Sequence, residues 1–353
     1  MATGIVLDRK YMEYSLHPQH IESPDRLSKT IELLEKLKSE QGQFCDLRLF
    51  HPRPATFEDV SLVHSKSYIK FIMDLSREGY GQIDYETFVN KDTYKAATFA
   101  AGGAIKAVDV VAKKDVENSF ALVRPPGHHA SRTIGGGFCY FNNVAIAAEY
   151  ARRYYNFDNI LILDWDAHYG NGTADIFRGD KKTLFVSVDE DFFTKDKRGF
   201  VDVDNNIIHL STPIYVDRSY LVSWSEIINC IKNLFSPDIV ICSAGQDGHF
   251  TEYLSSLGLS SYTYEELVKL VKKFARNWCN GRLVLSLEGG YNPLTTPLCN
   301  CIVIGALADI RFPYEIEQLY YWFGYKPEPE DSRKRMENLL EELTSKIKTN
   351  LFK

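Results

Sequence analysis

The stretch Leu161-Ile162-Leu163-Asp164-Trp165-Asp166-Ala167-His168-Tyr169-Gly170-Asn171-Gly172 decides how this chain is read. An apolar run with strand character drives into two carboxylates and an imidazole at alternating positions. In an extended chain residues i, i+2 and i+4 share a face, so Asp164, Asp166 and His168 are expected to point the same way. Charges at the end of a buried strand are costly unless something pairs them. A divalent cation suits oxygen and imidazole donors, with zinc or iron(II) the matching metals.

Working outward, the same pattern recurs. Phe120 to Val123 runs into Arg124-Pro125-Pro126-Gly127-His128-His129, and Leu184 to Val188 runs into Asp189. Ile239 to Cys242 runs into Ser243-Ala244-Gly245-Gln246-Asp247, and Leu283 to Leu287 into Glu288-Gly289-Gly290-Tyr291. Helical stretches over Asn143 to Tyr154, Tyr220 to Phe235 and Tyr264 to Trp278 separate most of these runs. Strands alternating with helices predict an α/β fold: a single domain with a mostly parallel sheet flanked by helices on both faces. Ligands bind beyond the carboxyl ends of such strands, where every polar cluster falls.

Toward the amino terminus, Ile5 to Leu7 and Leu47 to Phe50 read as strands, and the loop from Tyr11 to Pro18 lies between them. Ser23-Pro24-Asp25-Arg26 opens a helix with Leu27, Ile31, Leu34 and Leu37 on one face. Helix is also expected from Val63 to Ile69 onward and from Asp92 to about Val111, where Ala100-Ala101-Gly102-Gly103-Ala104 allows close packing. The loop between them carries Asp84. After the turn Lys326-Pro327-Glu328-Pro329-Glu330, the residues Met336, Leu340, Leu343 and Ile347 mark an amphipathic helix. The expected organisation is a catalytic domain over 1–325 and a terminal helix over 326–353 that packs on the domain or at a dimer contact, in a monomer or homodimer.

Composition narrows the function classes. With 353 residues, 44% hydrophobic and 25% charged, the chain buries a substantial core. A formal net charge of −6 and only short basic runs argue against direct nucleic-acid binding. Seven cysteines without CxxC spacing argue against a disulfide framework. The amino terminus carries no signal pattern and no apolar run spans a membrane, so a cytoplasmic location is expected.

The third metal ligand nominated beside Asp166 and His168 is Asp247, with Asp164 left as a ligand or as an acceptor behind a histidine. His128 and His129, framed by Pro125-Pro126-Gly127, suit a general acid/base pair with Asp164 and Asn171 as their acceptors. Gly289 and Gly290 leave room beside Tyr291, whose hydroxyl is placed to donate to a developing oxyanion. Gly137 and Phe138 lie on a glycine-rich loop that lacks a P-loop ending. Phe138, with Phe192 or Phe193 opposite, would wall a narrow channel for a linear alkyl chain.

Together Arg124 to Ala130, Gly137-Phe138-Cys139-Tyr140-Phe141-Asn142-Asn143, Asp164 to Thr173, Ser243 to Asp247 and Glu288 to Asn292 resemble the zinc-dependent histone deacetylase and acetylpolyamine amidohydrolase superfamily. Asn171 and Asn142-Asn143 resemble its class II and prokaryotic branch. The resemblance implies an arginase-like fold, a metal on Asp166, His168 and Asp247, and His129 as the main general base. It also implies His128 as an electrostatic partner bonded to Asp164, Tyr291 polarising an amide carbonyl, and Asp84 near the substrate backbone. A structural potassium ion is implied at carbonyls of Asp164, Asp166 and His168 with Ser187. The implied reaction removes an acetyl or other short acyl group from acetyl-lysine or an acetylpolyamine. The rival readings are a non-catalytic acyl-amine-binding protein and a ureohydrolase of the same fold. Gln246 and Asp189-Glu190-Asp191 depart from the family pattern, and the three carboxylates are expected to lend the channel mouth a field favouring cationic substrates.

Overall fold

The computed structural model describes residues 2–14, 20–41, 47–204, 206–311 and 324–351. The part of the expected Tyr11 to Pro18 loop beyond Tyr14, and Cys45, lie outside them. The strands are β1 (Thr3–Val6), β2 (Arg48–Phe50), β3 (Tyr80–Gln82), β4 (Phe88–Asn90), β5 (Asn118–Ala121), β6 (Ile160–Asp164), β7 (Thr183–Glu190), β8 (Phe200–Asp204), β9 (Ile207–Thr212), β10 (Ile239–Ala244) and β11 (Leu283–Leu287). The helices are α1 (Asp25–Gln41), α2 (Phe57–Val60), α3 (Lys66–Glu78), α4 (Thr93–Ala112), α5 (Asn143–Tyr155), α6 (Asn171–Phe177), α7 (Asp217–Ile231), α8 (Ser261–Trp278), α9 (Thr296–Ala308) and α10 (Glu330–Asn350).

One nine-stranded sheet runs in the order β2-β1-β5-β11-β10-β6-β7-β9-β8, and only the β8–β9 pair is antiparallel. The expected α/β architecture is therefore observed. The central strands are apolar on both faces because helices cover both, and every residue of β6, β10 and β11 is buried. Each fully buried aliphatic side chain there contributes roughly 1.5–3 kcal/mol of transfer free energy. In register, Asp164 at the end of β6 stands between Ser243 of β10 and Ser187 of β7. That alignment sets the polar strand ends side by side on one rim.

Elsewhere the small-residue patch of α4 works as expected: a Cβ on Gly102 would lie 1.8 Å from the Arg53 carbonyl oxygen, so only glycine lets the backbones meet. The loop around Asp84 carries the hairpin β3–β4, which its glycine and tyrosines do not announce. Neither β8–β9 nor α9 is anticipated from the sequence. In α9 every residue from Thr296 to Leu307 is buried, so no polar face marks a helical period.

Helix α10 packs against α7, β8 and β9. Ser332 Oγ donates to the Ile214 carbonyl at 2.9 Å, and Lys346 Nζ to the Val201 carbonyl at 2.7 Å. Its buried stripe is Met336, Leu339, Leu343 and Ile347, with Leu339 taking the place expected of Leu340. No helix among the described residues is long and apolar enough to cross a membrane.

Candidate active site

Strand β6 stops at Asp164, and the chain beyond it bends. The expected three-residue face is thereby split. Asp164 Oδ2 lies 3.0 Å from His128 Nδ1, whereas Asp166 and His168 turn toward Asp247. His168 Nδ1 is 3.1 Å from Asp166 Oδ1 and 2.9 Å from Asp247 Oδ2. The second oxygen of each aspartate is held by backbone: Gly289 N–H donates to Asp166 Oδ2 at 2.8 Å, and Ala167 N–H to Asp247 Oδ1 at 3.0 Å. Fixed from behind, the remaining donor atoms converge, all within 4.8 Å of one another. Both carboxylates are 1% exposed.

This donor set fits a zinc ion. Donors at about 2.0 Å from a tetrahedral ion are roughly 3.3 Å apart, close to the separations found, and a cation offsets two buried negative charges. Gly289 is required beside it, because a Cβ there would come within 2.4 Å of Asp247 Oδ2 and 2.7 Å of Asp166 Oδ2. The other candidate group, His128, Cys139 and Glu288, is already committed. Glu288 Oε2 accepts the amides of Gly127 and His128, and Oε1 the Ser243 hydroxyl.

The adjacent histidines lie in different environments. Their ring centroids are 4.0 Å apart. For His128, burial works against charge, yet Asp166 and Asp164 outweigh it and hold the imidazolium up to about 10. For His129, burial is reinforced by His128 and His168, and its pKa falls to about 3. His129 Nδ1 is 2.6 Å from Asn171 Oδ1, which orients the ring, and its centroid is 6.1 Å from that of His168. One imidazole is thus charged and the other neutral, a division of labour suited to a proton acceptor beside a fixed cation.

Tyr291 is 7% exposed. Burial keeps its phenol protonated, well above the usual range. Phe138 meets it edge-on at 5.4 Å, and the Arg26 guanidinium lies over its ring, 4.8 Å from the centroid. Gly137 has φ +54, and a Cβ there would lie 2.5 Å from His129 Cδ2. Asp84 binds this loop: Oδ2 accepts Gly137 N–H at 3.0 Å, and Oδ1 the amides of Glu86 and Thr87. Phe192 stacks flat on His168 at 4.9 Å.

Phe193, named as the alternative to Phe192, is 70% exposed; its ring meets Phe200 edge-on at 6.4 Å, and Asp191 Oδ1 accepts its amide. One expectation needs correction. Asp189, Glu190 and Asp191 form no exposed acidic rim. All three are 0% exposed. Asp189 is met by His209 Nε2 at 2.8 Å and by the hydroxyls of Ser187 and Ser211. Glu190 pairs with Lys197 at 2.7 Å, and Asp191 takes the amides of Phe193, Thr194 and Gly199.

Sequence reasoning missed Glu288 and a buried ion network in which Glu22 bridges Arg26 and Arg124. Arg26 also donates to the Gly290 carbonyl at 2.6 Å. A profile described as the histone deacetylase domain matches residues 20–307, which span the whole of this site. The chain belongs to the histone deacetylase family. A probable deacetylase of Archaeoglobus fulgidus is 38% identical over 317 residues, covering 87% of each chain. A histone deacetylase-like amidohydrolase of Pseudomonas aeruginosa is 30% identical, covering 83% of this chain and 78% of its own. Among solved structures, the HDA15 HD domain superposes with a TM-score of 0.79 at 26% identity, covering 98% of this chain and 94% of that one. Family membership thus extends to the prokaryotic-type branch and to deacetylase chemistry.

Proposed function

We propose that this deacetylase-family chain is a zinc-dependent amidohydrolase that removes an acetyl or other short acyl group from a primary alkyl amine, of the acetyl-lysine or acetylpolyamine type. The observation that carries this reading is the convergence of Asp166, His168 and Asp247 on one seat, with the neutral His129 and the protonated Tyr291 on the same rim. Zinc held there supplies Lewis acidity to a carbonyl and lowers the pKa of water toward neutrality.

The chain's own groups do the rest. His129 Nε2, left free by the Asn171 bond at Nδ1, takes the proton from the attacking water and returns it to the departing amine. His128 stays charged through Asp164 and favours the negative charge that builds up on the substrate. The Tyr291 hydroxyl donates to the acyl oxygen. Phe138 and Phe192 exclude water along the alkyl chain, and Asp84 holds the Gly137 loop that shapes the passage. The potassium seat implied near Asp164 and Ser187 stays part of the proposal, and no step depends on it. A ureohydrolase reading would need ligands for a second ion, and the only other cluster among the described residues is occupied by backbone amides and Ser243.

The test is turnover of an acetyl-lysine peptide and of an N-acetylated polyamine, before and after chelation and with zinc restored. Hydrolysis of at least one substrate, lost with chelator and recovered with zinc, is expected. Zinc-loaded protein inactive on both would contradict the reading.

A further inference from the structure

A buried carboxylate outside the metal seat ties together the two loops that carry its parts. Glu252, on the loop that follows Asp247, is 9% exposed. Its Oε1 accepts the amide of Tyr291 at 2.8 Å, the amide of Asn292 at 2.9 Å and the hydroxyl of Thr296 at 3.3 Å. Its Oε2 is buried with no hydrogen-bond partner among the described residues. Parallel ties flank it: Asn292 Nδ2 donates to the Thr251 carbonyl at 2.9 Å, and the hydroxyls of Thr251 and Thr295 meet at 2.7 Å.

The need for such a tie follows from the backbone. Tyr291 follows Gly290, whose φ of +116 lies in the region glycine favours, so no side chain at 290 steadies the turn that aims the phenol. Two successive amides aimed at one oxygen make a small concavity that selects an acceptor. Burial and the nearby Asp247 raise the Glu252 pKa to about 7 even though the amides oppose this.

We propose that Glu252 is a positioning residue whose Oε1 clamps the Tyr291–Asn292 turn to the Asp247 loop, holding the phenol in register with the metal seat. This rests on the reading of Tyr291 as the carbonyl-polarising donor. Gln keeps the accepting oxygen, Asp withdraws it by one methylene, and Ala removes it.

The experiment compares E252Q, E252D and E252A in the full chain for kcat, KM, zinc per chain and amide exchange of the peptide spanning 289–293. E252A and E252D should lower kcat by about tenfold or more with KM within about twofold, since misplacement of a group acting in the transition state falls on kcat. Zinc content should be unchanged and exchange at 289–293 faster, whereas E252Q should stay within about threefold of wild type with protected amides. In a Y291F background, adding E252A should cost less than about threefold more, because neighbours acting through one another are non-additive. The clamp is overturned if E252A retains wild-type kcat and protection, if E252Q fails as badly as E252A, or if E252A costs as much without the phenol as with it. Should the wild-type protein hydrolyse no acetylated amine, the function reading falls, and the exchange contrast between E252A and E252Q still decides the clamp.

Discussion

Two acidic clusters sit at the carboxyl ends of the neighbouring strands β6 and β7, and they have opposite fates. Beyond β6, Asp166 Oδ1 meets the ring and the amide of His168, in one group of donor atoms with Asp247. At the end of β7, Asp189, Glu190 and Asp191 are equally buried yet supplied with an imidazole, a lysine, hydroxyls and amides of their own. Carboxylate density along the chain is the same signal in both places. What separates the proposed metal seat from a structural knot is what the partners are: the inward oxygens of Asp166 and Asp247 meet the third nominated ligand, His168, whereas the β7 carboxylates are met by an imidazole, a lysine, hydroxyls and amides that belong to no such group.

That contrast can be broken first at the chemistry. Replacing His129 with Ala should cut kcat by roughly 10²–10⁴-fold, and His128→Ala should cost less, because it removes a charge near the reaction and leaves the proton acceptor in place. Steady-state rates with zinc content checked would decide, and a larger loss for His128 would reverse the assigned roles. Replacing Tyr291 with Phe should cost about 10²–10³ in kcat with KM little changed.

A change in the β7 cluster should strike stability instead. Asp189→Ala strips partners from His209, Ser187 and Ser211, and should cost about 2–4 kcal/mol in urea unfolding. The folded fraction should keep kcat within about twofold. Loss of activity without loss of stability would place the cluster in the chemistry after all.

The fold was legible because the apolar runs of β5, β6, β7, β10 and β11 are short, β-branched and each followed by polar residues, a pattern that a doubly covered parallel sheet imposes. Strands β8 and β9 escaped because they pair antiparallel at the edge, outside the strand–helix rhythm, and α9 because burial all round erases its period. At the site, His128 with Asp164 and His129 with Asn171 could be paired from residue chemistry, and the structure puts each pair within hydrogen-bond distance. Phe193 could not be separated from Phe192 because a neighbouring turn at Asp191 decides which ring faces His168. Glu22, Glu252 and Glu288 stayed invisible as site residues for a common reason: a carboxylate's value depends on amides and guanidinium groups far away in sequence, as with Glu22 and Arg124, 102 positions apart.

The smallest effect lies at the amino terminus of α5, beside its capping residue Asn142. His64 is buried and its Nε2 accepts the Asn142 amide at 2.9 Å. Burial lowers its pKa from 6.5 to about 4. The unfolded chain therefore binds this proton first as pH falls, so the neutral ring's contribution is complete above about 6.5 and lost toward 4. Between pH 7.5 and 5.5 the wild type should lose about 1 kcal/mol more stability than H64Q, read from paired denaturant titrations; parallel curves would refute it.

The most direct test is the zinc stoichiometry of three proteins, wild type, Asp247→Ala and Asp189→Ala, each stripped with chelator, titrated with zinc and dialysed. One tightly held ion per chain is predicted for the wild type and for Asp189→Ala, and none for Asp247→Ala. Equal zinc retention in Asp247→Ala, or its loss only in Asp189→Ala, would contradict the assignment of the seat to the cluster beyond β6.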